Sequence, residues 1–294
     1  MTPAPALAIT LPRQADTAPT GADAVRHHYD VGNSFFERWL DPTMTYSCAL
    51  WDGTDDLETA QIRKLDWHAR AMAAAPGQTV LDIGCGWGAM MDRLVRHWRV
   101  QRAVGLTLSH EQARHIAARR DFAISARLES WADHQPTALY DGIVSVGAFE
   151  HFASPTLDAA RRVATYRAFF QSCRDWLKPG GRLSLQTIAY DALSTRKFSD
   201  FIRREIFPDA ELPTLGEILA ASDGLFRPLL ITDDGDGYAR TCRVWRHRLL
   251  AAHGDSKRLT PEARRFQRYL RISEASFQRR NITLLRLAFE RSSS

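Results

Sequence analysis

"LDIGCGWGAM", residues Leu81 to Met90, joins a short apolar run to a helix-forming run through three glycines, with Asp82 just ahead of them. A glycine-rich turn between a first strand and its helix lets backbone approach a bound nucleotide in the crevice outside the strand carboxyl ends. Taken alone, the turn suits a dinucleotide, S-adenosylmethionine or no ligand at all. Gly84, Gly86 and Gly88 alternate as G-x-G-x-G rather than G-x-G-x-x-G. With no pyrophosphate to seat, that spacing favours S-adenosylmethionine over NAD.

The flanking sequence repeats one rhythm. Upstream, "ETAQIRKLDWHARAM" (58 to 72) places Ile62, Leu65 and Met72 near one helical face, and "GQTVLDIG" follows as a strand. Downstream, "GAMMDRLVRHW" reads as helix, "RAVGLTL" as strand and "SHEQARHIAARR" as a helix capped by Ser109. "FAISARL" and "DGIVSVG" are strands; "LDAARRVATYRAFFQSCRDWL" is a long helix closed by "KPGG", and "GRLSLQTIAY" is the next strand. Alternation of this kind predicts a doubly wound α/β domain with a mainly parallel sheet and helices on both faces.

After Tyr190 the rhythm breaks. Residues 191 to 224 hold the basic segment "TRKFSDFIRREIF", a turn at "PDAELP" and a short helix, and read as a lid or substrate lobe. The sheet resumes with "FRPLLITDD", and helices over 238 to 279 lead into the alternating strand "NITLLRLAFE".

Composition bounds the rest. With 294 residues, 45% hydrophobic and 25% charged, residues 24 to 294 suffice for one globular domain. Residues 1 to 23 contain prolines, lack a basic start and sustain no apolar run, which predicts a disordered leader and not a signal peptide. No apolar stretch approaches the roughly 18 to 20 residues of a membrane helix. The expected setting is the cytoplasm, with a peripheral position on the inner membrane as the other option. Cys48, Cys85, Cys173 and Cys242 lack metal-ligand or disulfide-scaffold spacing and read as reduced thiols, and no metal is expected. The net charge of +5 and the arginines of "RREIF", "RVWRHR" and "EARRFQRYLR" suit an acidic partner: a phosphate-bearing substrate, an anionic bilayer or an acyl carrier protein. They equally suit solvated helix faces. Nucleic acid is not among the expected partners, and the oligomeric state, homodimer included, stays open.

Seven stretches in order carry a resemblance over nearly all of residues 24 to 290. They are "HHYDVGNSFFERWLDPTMTYSCALW" (27 to 51), "VLDIGCGWG" (80 to 88), "GLTLSHEQ" (105 to 112), "DGIVSVGAFEHF" (141 to 152), "LKPGGRLSLQTI" (177 to 188), "IFPDAELP" (206 to 213) and "GYARTCRVW" (237 to 245). The chain resembles the cyclopropane-fatty-acid synthases, including the mycolic acid cyclopropane synthases, a family of S-adenosylmethionine-dependent methyltransferases. The resemblance implies a Rossmann-like class I methyltransferase sheet with an antiparallel last strand, N-terminal cover helices over 24 to 75 and an inserted lid.

It also implies roles. Asp82, Gly84 and Gly86 would border the methionine end of the cofactor, where a carboxylate can receive its ammonium. Thr107, Leu108 and Gln112 would surround the sugar and amino acid, Trp131 would flank the adenine, and Tyr46 and Ser47 would fold over the cofactor from the N-terminal segment. In this family methyl transfer to an isolated alkene leaves a carbocation in an apolar site, where aromatic faces can stabilise it. A base then takes a proton from the added methyl so that the ring closes. Bicarbonate does this in the family, and the residues matching its holders are Cys48, Glu150 and Tyr238. Where the family has a histidine, the strand "SLQTI" has Gln186, which carries no charge and shuttles no proton. Gly237 also stands where a histidine is common. Singly, Cys48 suits a small apolar filler, Glu150 a cap or an arginine partner, and Tyr238 a core aromatic.

Three outcomes follow from the departures: weaker bicarbonate binding, Glu150 as the base itself, or loss of a proton from a different carbon to give a methyl-branched alkene. Since "HHYDVGN" begins at His27, the build matches the compact members that act on carrier-bound acyl chains, and relatives that C-methylate terpenoid or polyketide alkenes. Arg196, Lys197, Arg203 and Arg204 could meet a diphosphate, a phosphopantetheine or a lipid headgroup. A relative that binds the cofactor without catalysis is the remaining alternative.

Overall fold

A computed structural model describes residues 32–191, 211–253 and 259–292. Its core is a seven-stranded sheet in the order β3-β2-β1-β4-β5-β7-β6. The strands are β1 (Thr79–Ile83), β2 (Arg102–Thr107), β3 (Ile124–Leu128), β4 (Tyr140–Val146), β5 (Leu177–Tyr190), β6 (Phe226–Asp233) and β7 (Ile282–Arg291). Six share one direction, while β7 enters antiparallel between β5 and β6. Helices α3 (Ala89–His97), α4 (His110–Ala117) and α5 (Ala159–Trp176) make the crossovers. The order reverses beside β1, so the crevice at its carboxyl end is the place for a ligand.

Local chemistry sets the element ends. Ser109 caps α4 by accepting from Gln112 N, and Gly88, left-handed at φ 88°, opens α3. The helix expected to reach Arg120 stops at Ala117, with Arg120 itself left-handed at φ 49°. Strand β5 starts before the glycine turn, not after it. Tyr140 pairs with Leu177 and Gly142 with Arg182, so "KPGG" bulges from a continuing ladder.

Between α1 (Asn33–Phe36) and α2 (Leu57–Ala71) the chain is not helical. The side chain of Asp41 explains why: its carboxylate accepts from Thr43 N at 3.0 Å and Thr45 N at 3.1 Å, so a side chain replaces the carbonyls a helix would use. Asp56 then caps α2, accepting from Thr59 N at 2.8 Å. The leader and the basic segment 192–210 lie outside the described residues. Of the region read as a lid, α6 (Leu215–Ser222) is described; it packs on α5 through Ile218 and Ala221, and the buried Arg162 and Glu217 pair at 2.6 Å.

The two sheet faces differ in chemistry. Odd-numbered positions such as Leu81, Ile83, Leu183, Leu185, Leu285 and Leu287 join the apolar cluster with α5 and α6. Even-numbered neighbours face α2 and the segment around Cys48, and among them Asp82, Ser184, Gln186 and Arg286 are buried polar groups. A third layer covers this face. Helices α7 (Gly235–His253) and α8 (Pro261–Gln278) join the N-terminal segment in one aromatic cluster that includes Phe36, Trp39, Trp87, Trp245 and Phe266.

Candidate active site

The glycine turn at the end of β1 is built for close approach. Gly84 is left-handed at φ 82°, and a Cβ there would come 2.5 Å from the Ala148 methyl; Gly86, at φ 54°, has no described atom within 4 Å of that position. The turn is thus tight against the β4 end on one side and open on the other, which fits a ligand lying over Gly86. Asp82 is buried beneath it, and burial pushes its carboxyl up to about 7. An ammonium arriving there would hold it ionised. At the end of β2, the Thr107 hydroxyl donates to Gln112 Oε1 at 2.7 Å, Leu108 is half-buried, and Trp131 packs edge-on to Phe169 and tilted on Phe152.

The N-terminal segment completes the wall. Tyr46 sits among Phe36, Trp39 and Trp245 with ring centroids 5.1 to 5.5 Å away. Ser47 accepts at its hydroxyl from the buried Lys64 ammonium at 2.8 Å, and its carbonyl accepts from Gln61 Nε2 at 2.9 Å. Both donors come from α2, so this helix and the segment are fixed to each other by polar contacts below the aromatic layer.

Cys48 and Gln186, unrelated in sequence, meet through a residue the sequence reading missed. Gln186 and Arg286 are register partners across β5 and β7, so their side chains share a face. Arg286 Nε donates to Gln186 Oε1 at 2.8 Å, Nη1 to Asp234 Oδ2 at 2.5 Å, and Nη2 to the Ala49 carbonyl at 3.2 Å and to Cys48 Sγ at 3.5 Å. A guanidinium only donates, so it fixes which end of the Gln186 amide faces it. The amide nitrogen is turned away and donates to no described residue. His68, pushed well below its usual range by burial and by the nearby Lys64 and Arg286 charges, is neutral; its Nδ1 lies 2.8 Å from Ser184 Oγ and its Nε2 3.3 Å from Gln186 Oε1. With Gln186 Oε1 as the acceptor, Nε2 carries the ring proton and Nδ1 accepts from the serine.

The second departure from the family pattern belongs to the same arrangement. A Cβ on Gly237 would sit 2.2 Å from Asp234 Oδ1, and Gly237 N donates to that oxygen at 3.1 Å. Only glycine leaves room for the carboxylate that pairs with Arg286. The uncharged Gln186 therefore stands against a fixed cation.

Glu150 lies in the 3₁₀ turn Phe149–His151 after β4. Its Oε1 accepts from Ile188 N at 2.6 Å, two residues along β5 from Gln186, while its Oε2 is buried without a hydrogen-bond partner among the described residues. Burial lifts the carboxyl to about 7, against the lowering effect of the Ile188 N–H. Tyr238 stacks on Phe277 at 4.6 Å, with Cys48 and Glu150 among the groups within electrostatic reach of its phenol, which burial raises well above its ordinary range. Burial likewise pushes the Cys48 thiol up to about 12, so it stays a neutral thiol. The structure thus gathers Cys48, Gln186 and Arg286 directly and sets Glu150 and Tyr238 beside them; Thr107, Leu108 and Gln112 stand apart at the end of β2, and Trp131 packs on Phe152 and Phe169.

The sequence profile described as mycolic acid cyclopropane synthetase matches residues 17–287. The chain belongs to that family. It is 37% identical over 255 residues to cyclopropane mycolic acid synthase 2 of Mycobacterium leprae, covering 79% of this chain and 81% of that protein. It is 33% identical over 273 residues to the cyclopropane-fatty-acyl-phospholipid synthase of Escherichia coli, covering 90% of this chain and 67% of that protein. The solved structure of the cyclopropane synthase MmaA2 from Mycobacterium tuberculosis superposes with a TM-score of 0.80 at 30% identity, covering 92% of this chain and 98% of that one. Mycolic acid cyclopropane synthase CmaA1, solved with S-adenosylhomocysteine and CTAB, gives 0.80 at 32% identity over 92% and 98% of the two chains. With family membership comes the class of S-adenosylmethionine-dependent methyltransferases, and the mixed seven-stranded sheet agrees with it.

Proposed function

We propose that this enzyme adds the cofactor's methyl carbon to a double bond of an unsaturated acyl chain, with Glu150 holding the proton that must leave. S-adenosylmethionine, when bound over the glycine turn, supplies an electrophilic methyl group. Asp82 and the open side of Gly86 fit its amino-acid end. The aromatic layer of Phe36, Trp39, Tyr46, Trp87 and Trp245 keeps water from the covering side, as transfer to an unactivated alkene requires. The observation that carries the reading is Glu150 Oε2, a buried carboxylate oxygen with no partner among the described residues.

The alkene's π electrons would form a bond to the methyl carbon as its bond to sulfur breaks, the pair staying on sulfur so that neutral S-adenosylhomocysteine leaves, and the former alkene would carry the cation. A C–H bond of the new methyl then supplies electrons to close the three-membered ring, and its proton passes to Glu150 Oε2. A carboxyl near neutrality is a matched acceptor at physiological pH. A bicarbonate held by Cys48, Glu150 and Tyr238 is the alternative base, and the Arg286 guanidinium, 3.5 Å from Cys48 Sγ, supplies the positive charge beside that cluster. The second reading, a methyl-branched alkene, draws on Gln186: with no titratable ring at that position, direction of the proton rests on Glu150 alone.

The test uses methyl-labelled cofactor with unsaturated phospholipid and with carrier-bound acyl chains, and resolves the product by the shielded ring-methylene protons in NMR. A ring supports the leading reading, a branched alkene the second; no label in either pool, with S-adenosylhomocysteine bound, removes both. Glu150→Gln should lower turnover at least a hundredfold with cofactor affinity within about threefold. Wild-type turnover should rise with pH to a plateau above about 7, where Glu150 is ionised. Stability moves the opposite way. The folded carboxyl binds its proton more tightly than the unfolded one, so this group's favourable contribution is complete below about 4.5 and lost as pH rises through about 7. Glu150→Gln should thus be more stable than wild type at pH 8, by on the order of 2 to 3 kcal/mol in urea unfolding, and no more stable at pH 4.5.

A further inference from the structure

Lys64 is buried to 1% exposure on the second turn of α2. Its ammonium carries three donors, yet among the described residues it donates only to Ser47 Oγ, at 2.8 Å. A buried ammonium left this short of acceptors is costly unless something else arrives to take its protons. Its charged and titratable neighbours come from four elements: Asp41 and Cys48 from the N-terminal segment, Asp82 from β1, Arg286 from β7, and His68 one turn along its own helix. Arg286 is already committed to Gln186, Asp234, Ala49 and Cys48. Lys64 is not.

The position of this ammonium is informative. It touches Ser47, which the resemblance folds over the cofactor from the N-terminal segment, and acts on Asp82, which borders the cofactor's methionine end. That end is a zwitterion. Asp82 can receive the ammonium, which leaves a carboxylate in need of a cation and a hydroxyl donor.

We propose that Lys64, with Ser47, binds the carboxylate of the cofactor's methionine moiety while Asp82 receives its ammonium. The proposal rests on the reading that Asp82 borders that end of the cofactor and that Ser47 folds over the cofactor. Burial lowers Lys64 to about 7, against the raising effect of Asp41. A carboxylate placed on it would raise it again, so binding takes up a proton above pH 7 and the carboxylate's advantage fades as pH increases.

Calorimetric titration with S-adenosylhomocysteine, with its decarboxylated analogue and with 5′-methylthioadenosine, which lacks the amino acid, tests this without turnover. Lys64→Met, close in shape, should weaken S-adenosylhomocysteine by about tenfold or more and leave methylthioadenosine within twofold. Equal effects on both ligands, or none on either, overturn the assignment. The unsubstituted protein gives an independent measure: it should prefer S-adenosylhomocysteine to the decarboxylated analogue at pH 6.5, and the preference should shrink by pH 8.5. A preference that is absent, or that does not change with pH, also overturns it. Ser47→Ala and Asp82→Asn separate the two levels. If both leave S-adenosylhomocysteine affinity unchanged, the placement of the amino-acid end is wrong; if they weaken it while Lys64→Met does not, only the role of Lys64 fails.

Discussion

Arg286 holds together groups that the chain supplies from β5, β7, the end of β6 and the N-terminal segment. Removing it would leave the Asp234 carboxylate without its cation, with Gly237 N as its donor, and the Gln186 carbonyl with His68 Nε2 alone. Breaking a buried ion pair from one side costs about 3 to 5 kcal/mol, mostly from the charge left behind. Arg286→Met should therefore lose about that much in urea unfolding, and Asp234→Asn in the same protein should restore part of it; a strictly additive pair would show that the two do not interact. Cys48, Glu150, Gln186 and Tyr238 were legible in sequence because each stands in a distinctive local motif. Arg286, Lys64 and His68 were not, because what assembles them is cross-strand register and the packing of α2 on the sheet. One signal is present: Ser184, Gln186 and Arg286 at even positions of "LSLQTI" and "ITLLRLAF", strands otherwise apolar on both sides except for Thr187 and Thr283.

Elements show where local rules yield to the site. Glycine at 237 is unfavourable by ordinary helix propensity, and Gly→Ala in a helix usually gains up to about 1 kcal/mol. Here the first turn of α7 wraps a carboxylate that occupies the Cβ position, so Gly237→Ala should instead destabilise by about 1 to 3 kcal/mol. In an Asp234→Ala background the sign should reverse, and thermal unfolding of the four proteins reads it directly. Strand and helix alternation predicted the parallel half of the sheet well, since each crossover is local. The resemblance implies helices over the N-terminal segment, and its middle is not helical; the competing hydrogen bonds of Thr43 and Thr45 to the Asp41 carboxylate are what periodicity does not register.

Across the whole molecule, the sheet is the frame and the aromatic layer is the closure. Trp39, fully buried, meets the rings of Phe35, Phe36, Tyr46, Trp245 and Phe266, and so ties the segment bearing Cys48 to α7 and α8. Trp39→Ala should cost about 3 to 5 kcal/mol and speed amide exchange in residues 40 to 51 more than in β1 or β4. An equal effect throughout would mean that the cover and the sheet unfold as one unit. That the C-terminal helices would pack on the N-terminal segment could not be read from periodicity, which marks an apolar face without naming its partner.

The chain reaches β7 only after β6, α7 and α8, yet β7 lies between β5 and β6. During synthesis, then, the slot beside β5 stays open, and β6, which pairs with β7, has no sheet neighbour until residues 282 to 291 emerge; such edges invite pairing with other chains. The strand that fills the slot also delivers Arg286. Closing the sheet and charging the site are therefore a single late event, so a nascent chain can seat its glycine turn early but cannot own a finished active site before its sheet is sealed.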